Sequence, residues 1–302
     1  MAAPFFSIVI PTYNRPNLVC RCIDHLSDHV QVGDIAFEII VGDDSSNEKT
    51  KHCIQKNYPD VRWIKGPQKG PAANRNHAAR QAQGEWLIFI DDDTEPHPGF
   101  LQGYYNSAKS GGYLALEGKL VCPDKRNSPF YRMPENLNGG LFTSGNLAFH
   151  KETFFKIGAF DEDLVLMEDM EIAERIRKHG IAHTFCHEAV VDHRAQRIGW
   201  KHMVWWAKHH RWSILFDFKT GKRNPAAPLV PSMVQTCSKH IVLLLRTTWH
   251  LISQHDPATW KNRWFWQAWG WTCLPYTLFH LCSSEISFRK LMQDLPLNEN
   301  SH

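Results

Sequence analysis

The sequence predicts an α/β fold, a mostly parallel sheet flanked by helices, followed by a helical extension. Three observations carry this reading. Short, almost continuously apolar runs alternate with helix-like segments over the first 195 residues, the pattern of strands buried on both faces. Polar clusters follow three of those runs at the same end, where ligands bind in such sheets. The composition then changes sharply near residue 196, which marks a second region with a different surface.

The elements follow in order. "FFSIVI" (5–10) precedes a helix-like segment from about Pro16 to Val30, and "FEIIVG" (37–42) precedes one over 48–57. "VRWIKG" (61–66) is followed by 71–83, and "EWLIFI" (85–90) by a segment starting near Pro98. From Tyr113 the pattern shifts to two strands, "YLALEGKLV" and "SGNLAFH". Between them 122–140 is rich in Pro, Asn and Gly, carries aromatic Phe130 and Tyr131, and reads as a mobile lid. "EDMEIAERIRKHG" (168–180) is a strong helix, with acids early, bases late and Gly180 as a stop. "HTFCHEAVVDH" (183–193) is a further strand, after which the chain reads as helical with breaks at 220–228 and 255–259.

Composition narrows the function. Of 34 Lys/Arg and 31 Asp/Glu in 302 residues, Gln196 onward holds 13 and 5, leaving 21 and 26 for the first 195. Ten of the twelve Trp also follow residue 199. The division expected is therefore 1–195 as the α/β domain and 196–302 as a helical, basic, Trp-rich region. The eight Cys form no CxxC pair, and the N-terminus lacks the basic and apolar segments of a signal peptide. A reducing cytoplasm, at the inner face of the membrane, is the expected setting. The run "IVLLL" falls far short of the ~20 apolar residues a membrane span needs. No nucleic-acid partner is expected.

The most informative stretch is "LIFIDDDTEP" (87–96). Four apolar residues run into Asp91, Asp92 and Asp93. Three adjacent carboxylates repel one another and are costly to desolvate, so a cation is expected beside them unless all face water. "PTYN" and "DDSS" follow the first and second strands and should meet this cluster at one sheet edge. A solvated turn explains any one of the three; their register favours a site. No GxGxxG follows the first strand and no P-loop lysine motif is present.

"FFSIVIPTYNRPNLVCRCIDHL", "EIIVGDDSS", "GPAANRNHAARQAQGEWLIFIDDDTEPHPGFL" and "GNLAFHKETFFKIGAFDEDLVLMEDMEIAERIRKHG" together resemble the successive blocks of glycosyltransferase family 2 over roughly 5–193. The resemblance implies the GT-A fold, a nucleoside-diphosphate sugar donor (a UDP-sugar above all), a divalent metal (Mn2+ or Mg2+) and inversion at the anomeric carbon. It also implies roles. Pro11, Thr12 and Tyr13 line the nucleotide pocket, Asp44 binds base or ribose with Asp43 beside it, and Arg75 and Asn76 face the nucleotide. Asp91 points to the ribose, Asp93 holds the metal, and Asp92 fills the variable middle place. Gly145 and Asn146 approach the donor or acceptor sugar. Asp169 is the catalytic base with Glu168 next to it, and His193 reaches the metal or diphosphate. Two departures stand out: Ala78 follows "RNH" where many members have Gly, and no Q-x-x-R-W follows "ED", which favours single transfer over processive synthesis.

The chemistry asks for these residue types independently. Negative charge builds on a leaving diphosphate, and a divalent cation neutralises it. An acceptor alcohol needs a base, and a metal-bound carboxylate is a poor one. A second acidic cluster is therefore required, and "MEDME" (167–171) supplies it. The resulting expectation is an inverting, metal-dependent glycosyltransferase in surface polysaccharide or glycoconjugate assembly, acting on a glycan or lipid-linked acceptor. A nucleotidyltransferase making sugar nucleotides and a non-catalytic nucleotide-sugar-binding protein are the alternatives. In 260–271, Trp260, Trp264 and Trp271 fall near one helical face and Trp266 and Trp269 on a neighbouring one, with Lys261 and Arg263 among them. They are expected to make peripheral membrane contact, with packing against the catalytic domain or another subunit as the alternative.

Overall fold

The computed structural model describes residues 3–27, 31, 34–126, 130–198, 201, 205, 209–253 and 260–294; side chains at 247, 250–253, 260–266, 293 and 294 are not described. The chain divides into two compact units, one of Met1–Lys125 and Met133–Ala195, the other of Arg126–Arg132 and Gln196–His302.

In the first unit the strands are β1 (Phe6–Thr12), β2 (Phe37–Asp43), β3 (Arg62–Lys65), β4 (Trp86–Ile90), β5 (Thr94–Pro96), β6 (Ala115–Val121), β8 (Asn146–His150) and β9 (His183–His193). They form one sheet in the order β3-β2-β1-β4-β8-β6-β9-β5. β1 pairs in parallel with β2 and β4, and β2 with β3. The other half is mixed: β8 is antiparallel to β4 and β6, and β5 is antiparallel to β9. The helices are α1 (Pro16–His25), α2 (Lys49–Asn57), α3 (Pro71–Arg80), α4 (Phe100–Lys109), α5 (Lys151–Lys156) and α6 (Glu168–Lys178).

Period-2 alternation decides which side chain faces which layer. Phe6, Ile8, Ile10, Ile88 and Ile90 pack on one side with Val19 and Ile23 of α1, Ile54 of α2 and Phe100 and Tyr104 of α4. Val9, Leu87 and Phe89 pack on the other with Ala78 of α3, Phe154 of α5 and Ile172 and Ile176 of α6. Both faces of the central strands are thus buried, which is why those strands read as unbroken apolar runs. α1 and α3 each open with proline at the first turn, where the missing N–H costs nothing.

Two expectations change here. Part of the loop over 122–140 is anchored rather than lid-like. Leu120 and Asn136 form a bridge, and buried Glu117 accepts from Asn136 Nδ2 at 3.3 Å, Gly140 N at 2.9 Å and Phe142 N at 2.8 Å. Asn146, expected to meet sugar, is fully buried instead. Its Oδ1 accepts from Tyr104 Oη at 2.7 Å, and its Nδ2 donates to the carbonyls of Lys119 at 3.0 Å and Ala189 at 2.9 Å. It ties α4, β6 and β9 to β8.

The second unit contains β7 (Tyr131–Arg132) paired antiparallel with β10 (Gln196–Arg197), and helices α7 (Arg211–Lys219), α8 (Leu229–Ser253) and α9 (Trp260–Asp294). Ile214 and Phe218 of α7 pack on Leu281 of α9. Glu285, fully buried, pairs with Arg223 and with Arg289 at 2.8 Å and accepts from Ser232 Oγ at 2.9 Å. α8 and α9 are joined by Gln267 Nε2, donating to the Leu244 carbonyl at 2.7 Å, and by Trp271 Nε1, donating to Thr248 Oγ1 at 3.0 Å. Trp271 therefore turns toward α8, against its expected lipid-facing role; the side chains of Trp260, Lys261, Arg263, Trp264 and Trp266 lie outside the described residues. No helix of the described residues is long and apolar enough to cross a membrane.

Asn146→Ala leaves the Tyr104 hydroxyl and two carbonyls short of a partner, at a cost of roughly 1–3 kcal/mol for each buried group left unpaired. The melting temperature should fall clearly; an unmoved melt with weakened sugar binding would return Asn146 to the ligand.

Candidate active site

The parallel order β2-β1-β4 brings three polar strand ends side by side. Asp44 N donates to the Thr12 carbonyl at 3.0 Å, and Thr12 Oγ1 donates to Asp92 Oδ2 at 2.6 Å. Asp92 is therefore an internal link between the ends of β1 and β4, only 4% exposed. Burial pushes its carboxyl up to about 6, against the pull of Arg15 and the Thr12 hydroxyl. Asp91 and Asp93 flank it on the open side.

Asp91 Oδ1 receives Arg75 Nη2 at 2.6 Å, and Arg75 Nη1 reaches Glu168 Oε1 at 3.1 Å. Arg75 is 4% exposed, so a buried cation joins the Asp cluster to the acidic start of α6. Burial, with Asp169 and Asp91 nearby, pushes Glu168 up to about 7, although Arg75 pulls the other way. Asp169 is half-buried. Its Oδ1 accepts from Met170 N at 2.8 Å, and the Ser144 N–H also donates to it. Burial raises its pKa, with Asp91 adding to the rise. Met167, just before α6, has φ 72°, a left-handed backbone that is strained for a non-glycine residue.

His193 arrives through a pairing the sequence did not announce. β5 follows the Asp cluster directly and sets Thr94 opposite His193 of β9. His193 Nε2 lies 3.3 Å from Asp93 Oδ1, while its Nδ1 sits 3.1 Å from the Arg194 carbonyl. The Nδ1 contact with that carbonyl fixes the ring so that Nε2 points at the Asp93 carboxylate. Ligand atoms of Asp91, Asp93 and His193 all lie within 4.8 Å of one another, and this trio is a candidate metal site among the described residues. Two carboxylate oxygens and one imidazole nitrogen make a donor set for a divalent cation. Gly145 borders it: a Cβ there would come within 2.9 Å of Asp91 Oδ2.

The remaining expected residues divide. Tyr13 is 60% exposed beside the strand ends, and Pro11 is buried in β1. Asp44 accepts from Gln68 N at 2.9 Å, and its pKa is raised by burial. Gly66 makes room for these groups: a Cβ there would lie 2.1 Å from Asp44 Oδ1 and 2.7 Å from Asn74 Oδ1, so a larger residue would displace both side chains. Asp43 and Asn76 turn inward. Asp43 accepts from Ser45 N at 2.9 Å and Trp63 Nε1 at 3.0 Å. Asn76 exchanges hydrogen bonds with the Phe160 backbone at 2.7 and 3.0 Å. Both side chains are buried. Sequence reasoning missed Arg15, whose Nη1 lies 3.1 Å from Asp92 and 3.4 Å from Asp93; it directly follows "PTYN" and was legible there. It also missed Ser144, whose backbone N–H carries no sequence signal.

The model of the family described as glycosyl transferase family 2 matches residues 7–161. The chain is a family 2 glycosyltransferase. The enzyme is 24% identical over 210 residues to the glycosyltransferase AglE of Haloferax volcanii, covering 65% of this chain and 69% of that one. It is 34% identical to the GalNAc(5)-diNAcBac-PP-undecaprenol β-1,3-glucosyltransferase of Campylobacter jejuni, covering 41% of this chain and 40% of that one. Its fold resembles the mannosyltransferase PcManGT of Pyrobaculum calidifontis, solved with GDP-Man and Mn2+, with a TM-score of 0.58 at 16% identity, over 95% of this glycosyltransferase and 88% of that chain. The α/β sheet is thus that of GT-A glycosyltransferases.

The raised Glu168 pKa sets a pH dependence. A carboxyl that holds its proton more tightly when folded contributes stability that is fully present below about 4.5 and is lost as pH rises to about 7. Glu168→Gln should flatten the decline in metal-free stability across that window, measured by urea unfolding at successive pH values. An unchanged slope would assign the decline to another group.

Proposed function

We propose that this glycosyltransferase moves a sugar from a nucleoside-diphosphate sugar to an acceptor hydroxyl with inversion, and that it requires a divalent cation. The observation that carries the reading is the pair of acidic clusters joined by Arg75, one with metal-ligand geometry and the other half-open. Asp91, Asp93 and His193 would hold the cation, which when bound offsets charge on the departing diphosphate. The imidazole among the donors favours Mn2+ over Mg2+, which prefers oxygen ligands alone.

The division of labour follows from burial. Glu168 is committed to Arg75 and closed off, so it positions that cation. Asp169 keeps solvent access, and its raised pKa brings it nearer neutrality, as suits a general base. It would take the acceptor hydroxyl proton on Oδ2 while Oδ1 stays on Met170 N. Arg75 carries positive charge between the base and the metal ligands. Tyr13 offers an exposed ring, and Asp44 a carboxylate, to the nucleotide. With Asp169 as the base, the reading is a single displacement with inversion, as the family resemblance implies.

Uridine is the base favoured by the resemblance. The Campylobacter jejuni relative is named for an undecaprenol-linked acceptor, which supports a lipid-linked glycan acceptor here and a role in surface glycan assembly at the inner face of a membrane.

Asp169→Asn should lower kcat by roughly 10²–10⁴ while leaving donor affinity nearly unchanged. Loss of donor binding with an intact saturated rate would reassign the residue. Asp93→Ala should abolish Mn2+ binding, read by electron paramagnetic resonance of the free ion, and with it Mn2+-dependent release of nucleoside diphosphate from UDP-sugars. Proton NMR of the product should show inverted anomeric configuration; retention would reject single displacement.

A further inference from the structure

α8 meets α9 at Ser232, Leu244 and Thr248 and leaves a broad apolar strip in water. Its outer side carries Val230 at 68% exposure, Val234 at 62%, Val242 at 58%, Leu245 at 55% and Trp249 at 70%. At the helical repeat these five fall within an arc of about 120°. Exposed Lys239 and Arg246 border that arc on one side, and the 25 residues of α8 contain no Asp or Glu. Lys239 also lines a polar recess with Lys222, Asn224 and Gln235.

We propose that the outer face of α8 docks on the surface of an anionic lipid bilayer. An apolar arc with tryptophan at one end and cations along its edge is the pattern of a helix lying in the interface plane. The helix does not span: no helix of the described residues meets the length and apolarity of a crossing segment. The charge pattern selects the occupant. In a two-fold dimer through this face, Lys239 and Arg246 would crowd their own copies with no carboxylate on α8 to answer them. An anionic headgroup layer answers both. The excess of 13 Lys/Arg over 5 Asp/Glu from Gln196 onward adds attraction of the same sign. The face differs from the one expected on α9, since Trp271 is turned toward α8. This inference does not depend on the donor, the metal or the acceptor.

Co-sedimentation of the full chain with phosphatidylcholine vesicles, with and without phosphatidylglycerol, tests it. The protein should pellet with the phosphatidylglycerol vesicles and release as salt is raised. Lys239→Ala with Arg246→Ala should weaken partitioning by about 5-fold per charge removed. Val242→Glu with Trp249→Glu should bring it to background, with the circular dichroism spectrum unchanged because both positions are exposed. A chain that stays in the supernatant with both vesicles overturns the proposal, as does equal binding with and without phosphatidylglycerol. So does binding untouched by either pair of substitutions. A dimer in solution that Val242→Glu with Trp249→Glu converts to monomer, without vesicle binding by the parent, assigns the face to a second copy.

Discussion

The buried guanidinium of Arg75 is the constraint on which the site depends. It sits 2.6 Å from Asp91 and 3.1 Å from Glu168, residues far apart in sequence and drawn from different elements. A buried cation with a single carboxylate rarely recovers its desolvation cost; with two, and with Asp169 adding to the field, it is held firmly in its charged form. Its Nε has no hydrogen-bond partner among the described residues. The same cation lets Asp91 remain beside Asp92 and Asp93, and lets α6 begin with Glu168 and Asp169 at the same place. Without it, Asp91 and Glu168 would each lose the guanidinium that faces them.

The acids are then differentiated by what each one touches. Asp92 is tied to Thr12 and Arg15 and belongs to the scaffold. Glu168 is absorbed by Arg75. Asp91 and Asp93 face His193, and Asp169 keeps one side open. Five like residues thus take different tasks because burial and partners differ, not because the residue types do. Glu117 supports this at one remove: by gathering three N–H donors it fixes the chain that leads to Ser144, which donates to Asp169, and to Gly145, which stands against Asp91.

The second unit follows another logic. Buried Glu285 collects Arg223, Arg289 and Ser232 from separate segments, so a charge network rather than a large apolar core organises α7, α8 and α9 near that point. Much apolar surface consequently remains outward, and on α8 it is bordered by cations.

The sequence by itself determined the parallel half of the sheet, because strands buried on both faces must be apolar throughout and leave an unmistakable run. It also determined that acids would gather at the ends of β1, β2 and β4, since parallel strands share one carboxyl end. The motif resemblance added the base and the metal ligands as expectations. Only the tertiary structure decided how these residues are used. Asn146, Asn76 and Asp43 look like ligands in one dimension, and each is consumed by buried backbone or side-chain groups from distant segments. His193 meets Asp93 only because the three residues of β5, too short to read as a strand, pair with β9. The outward face of α8 was hidden for the same reason: the tryptophans drew attention to α9, whereas contact between the two helices determined which apolar residues remained in water.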